Sequence, residues 1–208
     1  MVVAGRTPLS RRRILEAALR FVDREGLEAL SMRKLGAELG VEAMSLYNHV
    51  PNKSALLDGM VEVLLGKLRI PPEEEGWEER IRGAYRAFRR LAHEHPNVFP
   101  LLVTRPPDTM DGVWLVEEFL KTLGGAGFDP KTSLHAFRAL SSYATGYAMA
   151  EVRGFAMEPS GPRSGARALP AEEFPHISEL NRELGEVDRD AEFEFGLDLI
   201  LHGLREKL

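Results

Sequence analysis

Cysteine is absent from the 208 residues, which excludes disulfides and thiolate metal sites. Long apolar runs are missing as well. The longest uncharged stretch, residues 139–150, holds twelve residues and is too short to span a bilayer. The opening residues MVVAGRTPLSRRR contain no apolar signal core, so a cytoplasmic protein is the expectation.

Signatures of catalysis are missing too. The chain has no P-loop, no Gly-x-Gly-x-x-Gly, no Gly-x-Ser-x-Gly and no His-Glu-x-x-His. His93 and His95 stand two apart on a helix and face different directions, a poor metal pair. His135 and His202 are single histidines on helices, and the run at Glu73, Glu74 and Glu75 reads as solvated charge. Nothing supports an enzyme, and neither a metal nor a cofactor is expected.

An excess of positive charge is also lacking, since the net charge is −5. Dividing the chain changes the picture. Residues 1–54 carry nine Lys/Arg against six Asp/Glu, while the remainder carries eighteen against twenty-six. A basic head on an acidic body is the footprint of a nucleic-acid reader.

What is present is helical periodicity throughout, with no strand alternation and no internal repeat. A chain that is 44% hydrophobic can bury a real core, and the fold class is all-α. Helices are expected over about 10–25, 52–69, 77–95, 97–103, 110–123, 129–157 and 190–208. A loop rich in Gly, Pro, Ser and Arg is expected over 159–170, and a weak helix over 175–185. Arg11, Arg12 and Arg13 crowd the first turn of the first helix. The helix dipole disfavours cations there by roughly 0.3–1 kcal/mol each, so either DNA phosphates favour them or they form a solvated basic patch.

Residues 30–53 read LSMRKLGAELGVEAMSLYNHVPNK. Ser31 is a good N-cap, Leu35 and Leu39 form an apolar stripe, and Gly40 sits where the helix must stop. A second helix of barely two turns is expected over 42–49. Pro51 ends it by pushing its predecessor out of the α region. Leu46 is the obvious packing residue, which leaves Met44, Ser45, Tyr47, Asn48 and His49 pointing elsewhere. So short a helix cannot stand alone in water. The pair is either a tight corner in a bundle or a helix-turn-helix whose second helix enters the major groove.

Val41, Ser45-Leu46-Tyr47, His49-Val50, Asn52-Lys53 and Leu56-Leu57 stand at a spacing that resembles the TetR family of bacterial repressors. The resemblance implies an N-terminal three-helix DNA-binding domain, residues 1–54, and a C-terminal ligand-binding and dimerisation domain, residues 55–208, joined by the helix at about 52–69. Carried over by position, it implies that Arg33, Lys34, Ala43, Met44, Ser45, Tyr47, Asn48 and His49 face double-stranded DNA. Lys53 would hold a phosphate.

For the ligand, Phe88, Trp114, Phe137, Tyr143 and Tyr147 offer aromatic surface from three helices, consistent with a mostly apolar cavity. Residues 77–151 resemble the tetracycline-repressor class of that family, which implies ligand contacts from Phe88, Thr104, Arg105 and Pro106. The polar anchors of that class are replaced here by Arg69, Ala84 and Leu102, of which Leu102 is still expected to touch the ligand, and its partner-supplied acid falls at Ala150, with Glu151 one place off. Hard cations bind poorly to leucine, so a small, largely apolar, non-chelating effector is the expectation.

Residues 139–150 carry small side chains on several faces, and Gly196 and Gly203 lie beside large apolar residues near the end of the chain. These suit either core packing within one chain or close approach of a neighbour. The family resemblance implies a homodimer built from the helices at about 129–157 and 190–208. Two heads about one DNA turn apart (~34–36 Å) would bind a palindrome. Rival classes are a helical adaptor or small-molecule-binding protein, or an enzyme, without specific DNA binding.

Overall fold

The computed structural model describes residues 8–105, 109–154, 172–176 and 188–208. Among these residues there are nine α-helices and no strand. The expected loop at 159–170 lies outside the described residues, as does most of the weak helix at 175–185.

Helix α1 (Arg11–Glu25) begins where the Ser10 hydroxyl accepts from the Arg13 N–H, and it buries Ile14, Leu15, Ala18 and Val22. Helix α2 (Met32–Leu39) is capped by Ser31, which accepts from the Lys34 N–H. At Gly40 the backbone turns left-handed with φ 67°, a conformation a Cβ would disfavour. Helix α3 (Ala43–Tyr47) is only five residues, shorter than the expected 42–49. It is anchored by Leu46, which is fully buried.

Helix α4 (Lys53–Leu65) starts at Asn52, whose Oδ1 accepts from the Ala55 N–H at 2.8 Å. It stops earlier than the expected 69. Arg69 folds back to donate to the carbonyls of Gly66 and Leu68 at 2.8 and 2.9 Å, satisfying groups that a helix end leaves open. Pro71 and Pro72 follow.

Helix α5 (Gly76–Glu94) buries Ile81, Tyr85, Leu91 and Ala92. Helix α6 (Leu101–Thr104) is a single turn, where 97–103 was expected. Pro100 has no N–H to bond back, so regular helix forms only after it. Helices α7 (Met110–Gly125) and α8 (Pro130–Arg153) follow, the latter capped by Asp129. Helix α9 (Arg189–Arg205) is capped by Asp188 and buries Phe193, Leu197, Leu201 and Leu204.

Two main apolar cores result. One packs α1 to α4 around Leu15, Leu35, Leu46, Leu56 and Leu64, and it takes in Leu91, Val98 and Leu101 from farther along the chain. The other joins α5, α7, α8 and α9 through Tyr85, Phe119, Leu123, Leu140 and Phe193. Polar bonds reinforce the seam between the N-terminal helices and the rest. His95 Nδ1 lies 2.5 Å from Asp23 Oδ2, and Asn97 donates to the Asp23 carbonyl at 3.0 Å.

Helix α9 is held to α5 by a ladder of ion pairs: Arg82 with Glu194 and Asp198, Arg86 with Glu194, and Arg89 with Asp190. It is held to α8 by rings. Tyr143 stacks on Phe193 with centroids 5.6 Å apart and donates to the Phe193 carbonyl at 2.9 Å. Tyr147 donates to the Arg189 carbonyl at 3.0 Å. Gly196 makes this approach possible, because a Cβ there would stand 2.2 Å from Tyr143 Oη. Its small size therefore serves packing within the chain. A Cβ on Gly146 or Gly203 would meet nothing within 4 Å.

Candidate functional site

Helices α2 and α3 meet at an unusually close corner. A Cβ on Gly36 would lie 2.9 Å from the Val41 carbonyl oxygen and 3.2 Å from the Ala43 nitrogen. The Val41 N–H bonds the Gly36 carbonyl at 2.9 Å, which fixes the turn. With Leu46 pointing inward, α3 presents its other side outward. Met44 is 73% exposed and Tyr47 41%, and Asn48 and His49 are exposed beside them. Ala43 and Ser45 are half-buried at the edge of the same face. An exposed methionine and tyrosine next to amide and imidazole groups offer apolar, stacking and hydrogen-bonding surface on two turns of chain. Base edges and the thymine methyl ask for that mixture.

The cations of the head divide into paired and unpaired. Arg11 makes a two-pronged bond to Glu62 on α4 at 2.8 and 3.1 Å, and Arg12 pairs with Glu16. These partners give both arginines a role that needs no phosphate. Arg33 and Lys34 are exposed on α2 and make no ion pair among the described residues. Lys53 donates from Nζ to the Leu30 carbonyl at 2.9 Å, tying the start of α4 to the chain just before α2. Two of its three N–H donors remain for another partner.

A cavity of about 220 Å³ lies behind the head. Its walls come from Val61 and Leu65 on α4, Tyr85 and Phe88 on α5, Leu102 on α6, Phe119 on α7, and Phe137 and Ser141 on α8. Four expected ligand residues line it: Phe88, Leu102, Arg105 and Phe137.

Four others do not, and Pro106 lies outside the described residues. Tyr143 and Tyr147 are bound to α9 instead. Helix phase explains this: residues 137, 141 and 145 recur at i, i+4 and i+8 and share the cavity face, while 143 and 147 sit round the helix. Trp114 is 52% exposed and shares an outward strip of α7 with Met110 and Val113. Thr104 is exposed, and its hydroxyl bonds back to the Pro100 carbonyl at 3.3 Å.

Sequence reasoning missed the polar pair inside. Tyr85 Oη lies 2.9 Å from Ser141 Oγ, and burial pushes the phenol well above its ordinary pKa, so it stays protonated and neutral. On α5 Tyr85 stands in register with the buried Ile81, as an apolar position would; only the fold brings it to Ser141, 56 residues away. Arg69 and Arg105 add cations to the wall. Among the described residues no group of three or more His, Asp or Glu could hold a metal ion, and no helix is long and apolar enough to cross a membrane.

Residues 14–60 match the family described as "Bacterial regulatory proteins, tetR family", and residues 70–208 match "Tetracyclin repressor-like, C-terminal domain". The HTH-type transcriptional repressor DrrR1 of Streptomyces coeruleorubidus is 31% identical, covering 92% of this chain and 76% of that protein. The tetracycline repressor protein class G of Vibrio anguillarum is 30% identical, covering 95% of this chain and 94% of that protein. Among solved structures, the TetR family protein ActR of Streptomyces coelicolor in complex with actinorhodin superposes with a TM-score of 0.81 at 30% identity. That likeness covers 96% of this chain and 98% of the other.

Proposed function

The chain belongs to the TetR family of bacterial regulatory proteins, and on that premise we propose that it is a homodimeric transcriptional repressor, released from a palindromic operator by a small, largely apolar effector. The reading is supported above all by α3, a five-residue helix anchored by the buried Leu46, whose outward side chains Met44, Tyr47, Asn48 and His49 are exposed, with Arg33 and Lys34 alongside making no ion pair among the described residues. A cavity walled partly by α4 then couples effector to DNA, because α4 also carries Lys53 at the edge of the head.

In this account residues 1–54 read DNA, α4 connects, and residues 55–208 bind effector and partner in the cytoplasm. Met44, Ser45, Tyr47 and Asn48 meet base edges, with Ala43 close by. Arg33, Lys34, His49 and Lys53 meet the backbone. Phosphate contacts fix register and base contacts choose sequence. The second subunit docks on the outer faces of α8 and α9, where Phe195 and Leu199 are 65% and 61% exposed.

Gel shifts on the DNA upstream of the protein's own gene, at one stated salt concentration, test this. Lys53→Ala and His49→Ala are expected to weaken binding to every duplex alike. Ser45→Ala and Asn48→Ala should change which operator variants bind, by about 1–3 kcal/mol per lost base contact. Uniform weakening by the second pair, or no selective binding by the wild type, would refute the assignment.

A further inference from the structure

We propose that the effector is an anion, a largely apolar molecule carrying a carboxylate or similarly acidic group, and that it acts by taking Arg105 away from α4. The proposal rests on the cavity being the effector site. Its nineteen lining residues include two arginines, Arg69 and Arg105, and neither Asp nor Glu. A largely apolar wall bearing only positive charge favours an anion, since a neutral occupant would cover Arg69, which has no carboxylate partner among the described residues, without pairing it.

The two arginines are held differently. Arg69 uses Nη1 for two backbone carbonyls and has no carboxylate partner among the described residues. Arg105, at the end of α6, reaches across to the first turns of α4. Its Nη1 bonds Ser54 Oγ at 3.2 Å and the Ser54 carbonyl at 3.4 Å, and it pairs with the Asp58 carboxylate. One side chain thus lines the cavity and straps the cavity wall to the DNA end of α4. Lys53, the residue before Ser54, is the one fastened to the base of α2.

The strap is exchangeable. Asp58 is 52% exposed, so its pair with Arg105 is screened by water and weak. An acidic group inside the cavity competes for the same guanidinium from a drier side, with Arg69 as second donor. When it wins, α4 loses its polar strap to α6, while the apolar contact through Leu101 remains. A ligand moves an equilibrium only through its difference in affinity between two forms, and this exchange supplies such a difference.

The test uses full-length protein with 2-naphthoate and its neutral, equally sized analogue 2-naphthamide, followed by calorimetry. The naphthoate is expected to bind at least tenfold tighter than the amide. Arg105→Met should reduce that preference below about threefold, while Arg105→Lys, which keeps the charge, retains part of it. Asp58→Asn frees Arg105 and should tighten naphthoate while loosening operator DNA. Equal binding of the two probes, binding of neither, or an undiminished preference in a folded Arg105→Met protein would overturn the proposal. Operator affinity of the ligand-free wild type is measured in parallel: its loss defeats the repressor reading, whereas its persistence without anion preference defeats only the anion.

Discussion

Glu151 shows how one residue can be misread by position alone. By alignment it lies next to the place from which a partner subunit would supply an acid. Folded, its carboxylate is nearly sealed, 2% exposed, between Arg89 at 2.7 and 2.8 Å and His93 at 3.0 Å. Burial alone would raise its pKa, yet the hydrogen bonds from Arg89 and His93 outweigh that and hold it below the ordinary carboxylate range. A lowered folded-state pKa stabilises the fold fully above the unfolded value of about 4.3 and progressively less as pH falls through the folded one. Glu151→Gln should therefore cost about 3 kcal/mol at neutral pH, the low end for breaking a buried pair, since Arg89 keeps Asp190. The penalty should shrink below pH 4. Urea unfolding at pH 7 and at pH 3.5 checks both signs; a pH-independent penalty would assign the effect to packing. Its spacing from Ala144 and Ala148, both buried, puts Glu151 on the inward face of α8, but the sequence does not show its partners, which lie on another helix.

At the scale of elements, caps and breaks were legible and faces only partly so. Ser10, Ser31, Asn52 and Asp129 all cap the helices their residue types suggest, because that bond is local. Helix ends set by folding back, as Arg69 does at α4, were not. The aromatic residues on α8 were readable as an apolar face, but which neighbour each ring meets depends on helix phase against partners distant in sequence. Gly36 was passed over for a related reason: no local rule requires it, and only the approach of α3 does. Replacing it with alanine should strain the α2–α3 corner by about 1–3 kcal/mol, as overpacking does. Operator affinity should fall sharply while naphthoate binding, tens of residues away, stays within about twofold. Parallel titrations of DNA and probe decide it; a joint loss of both would mean that the corner supports the whole fold.

For the whole molecule, the division of charge and the all-helical class could be read directly, whereas the seam could not. The head's core runs on into Leu91, Val98 and Leu101, so head and body share apolar packing that composition does not reveal. A reading head joined this firmly to a body with exposed Phe195 and Leu199 can span two half-sites only if the body pairs with a copy of itself. The proposed dimer therefore holds its two heads at a fixed spacing, and DNA geometry tests it. Duplexes retained from a random pool are resynthesised with five base pairs inserted between the half-sites, which turns them by about half a helical turn. Fluorescence anisotropy at about 150 mM salt, where distant charges are screened, then compares the two. With fixed spacing, binding to the expanded duplex is expected to be at least a hundredfold weaker. Equal affinity for both, or no preference of either over random DNA, would contradict it.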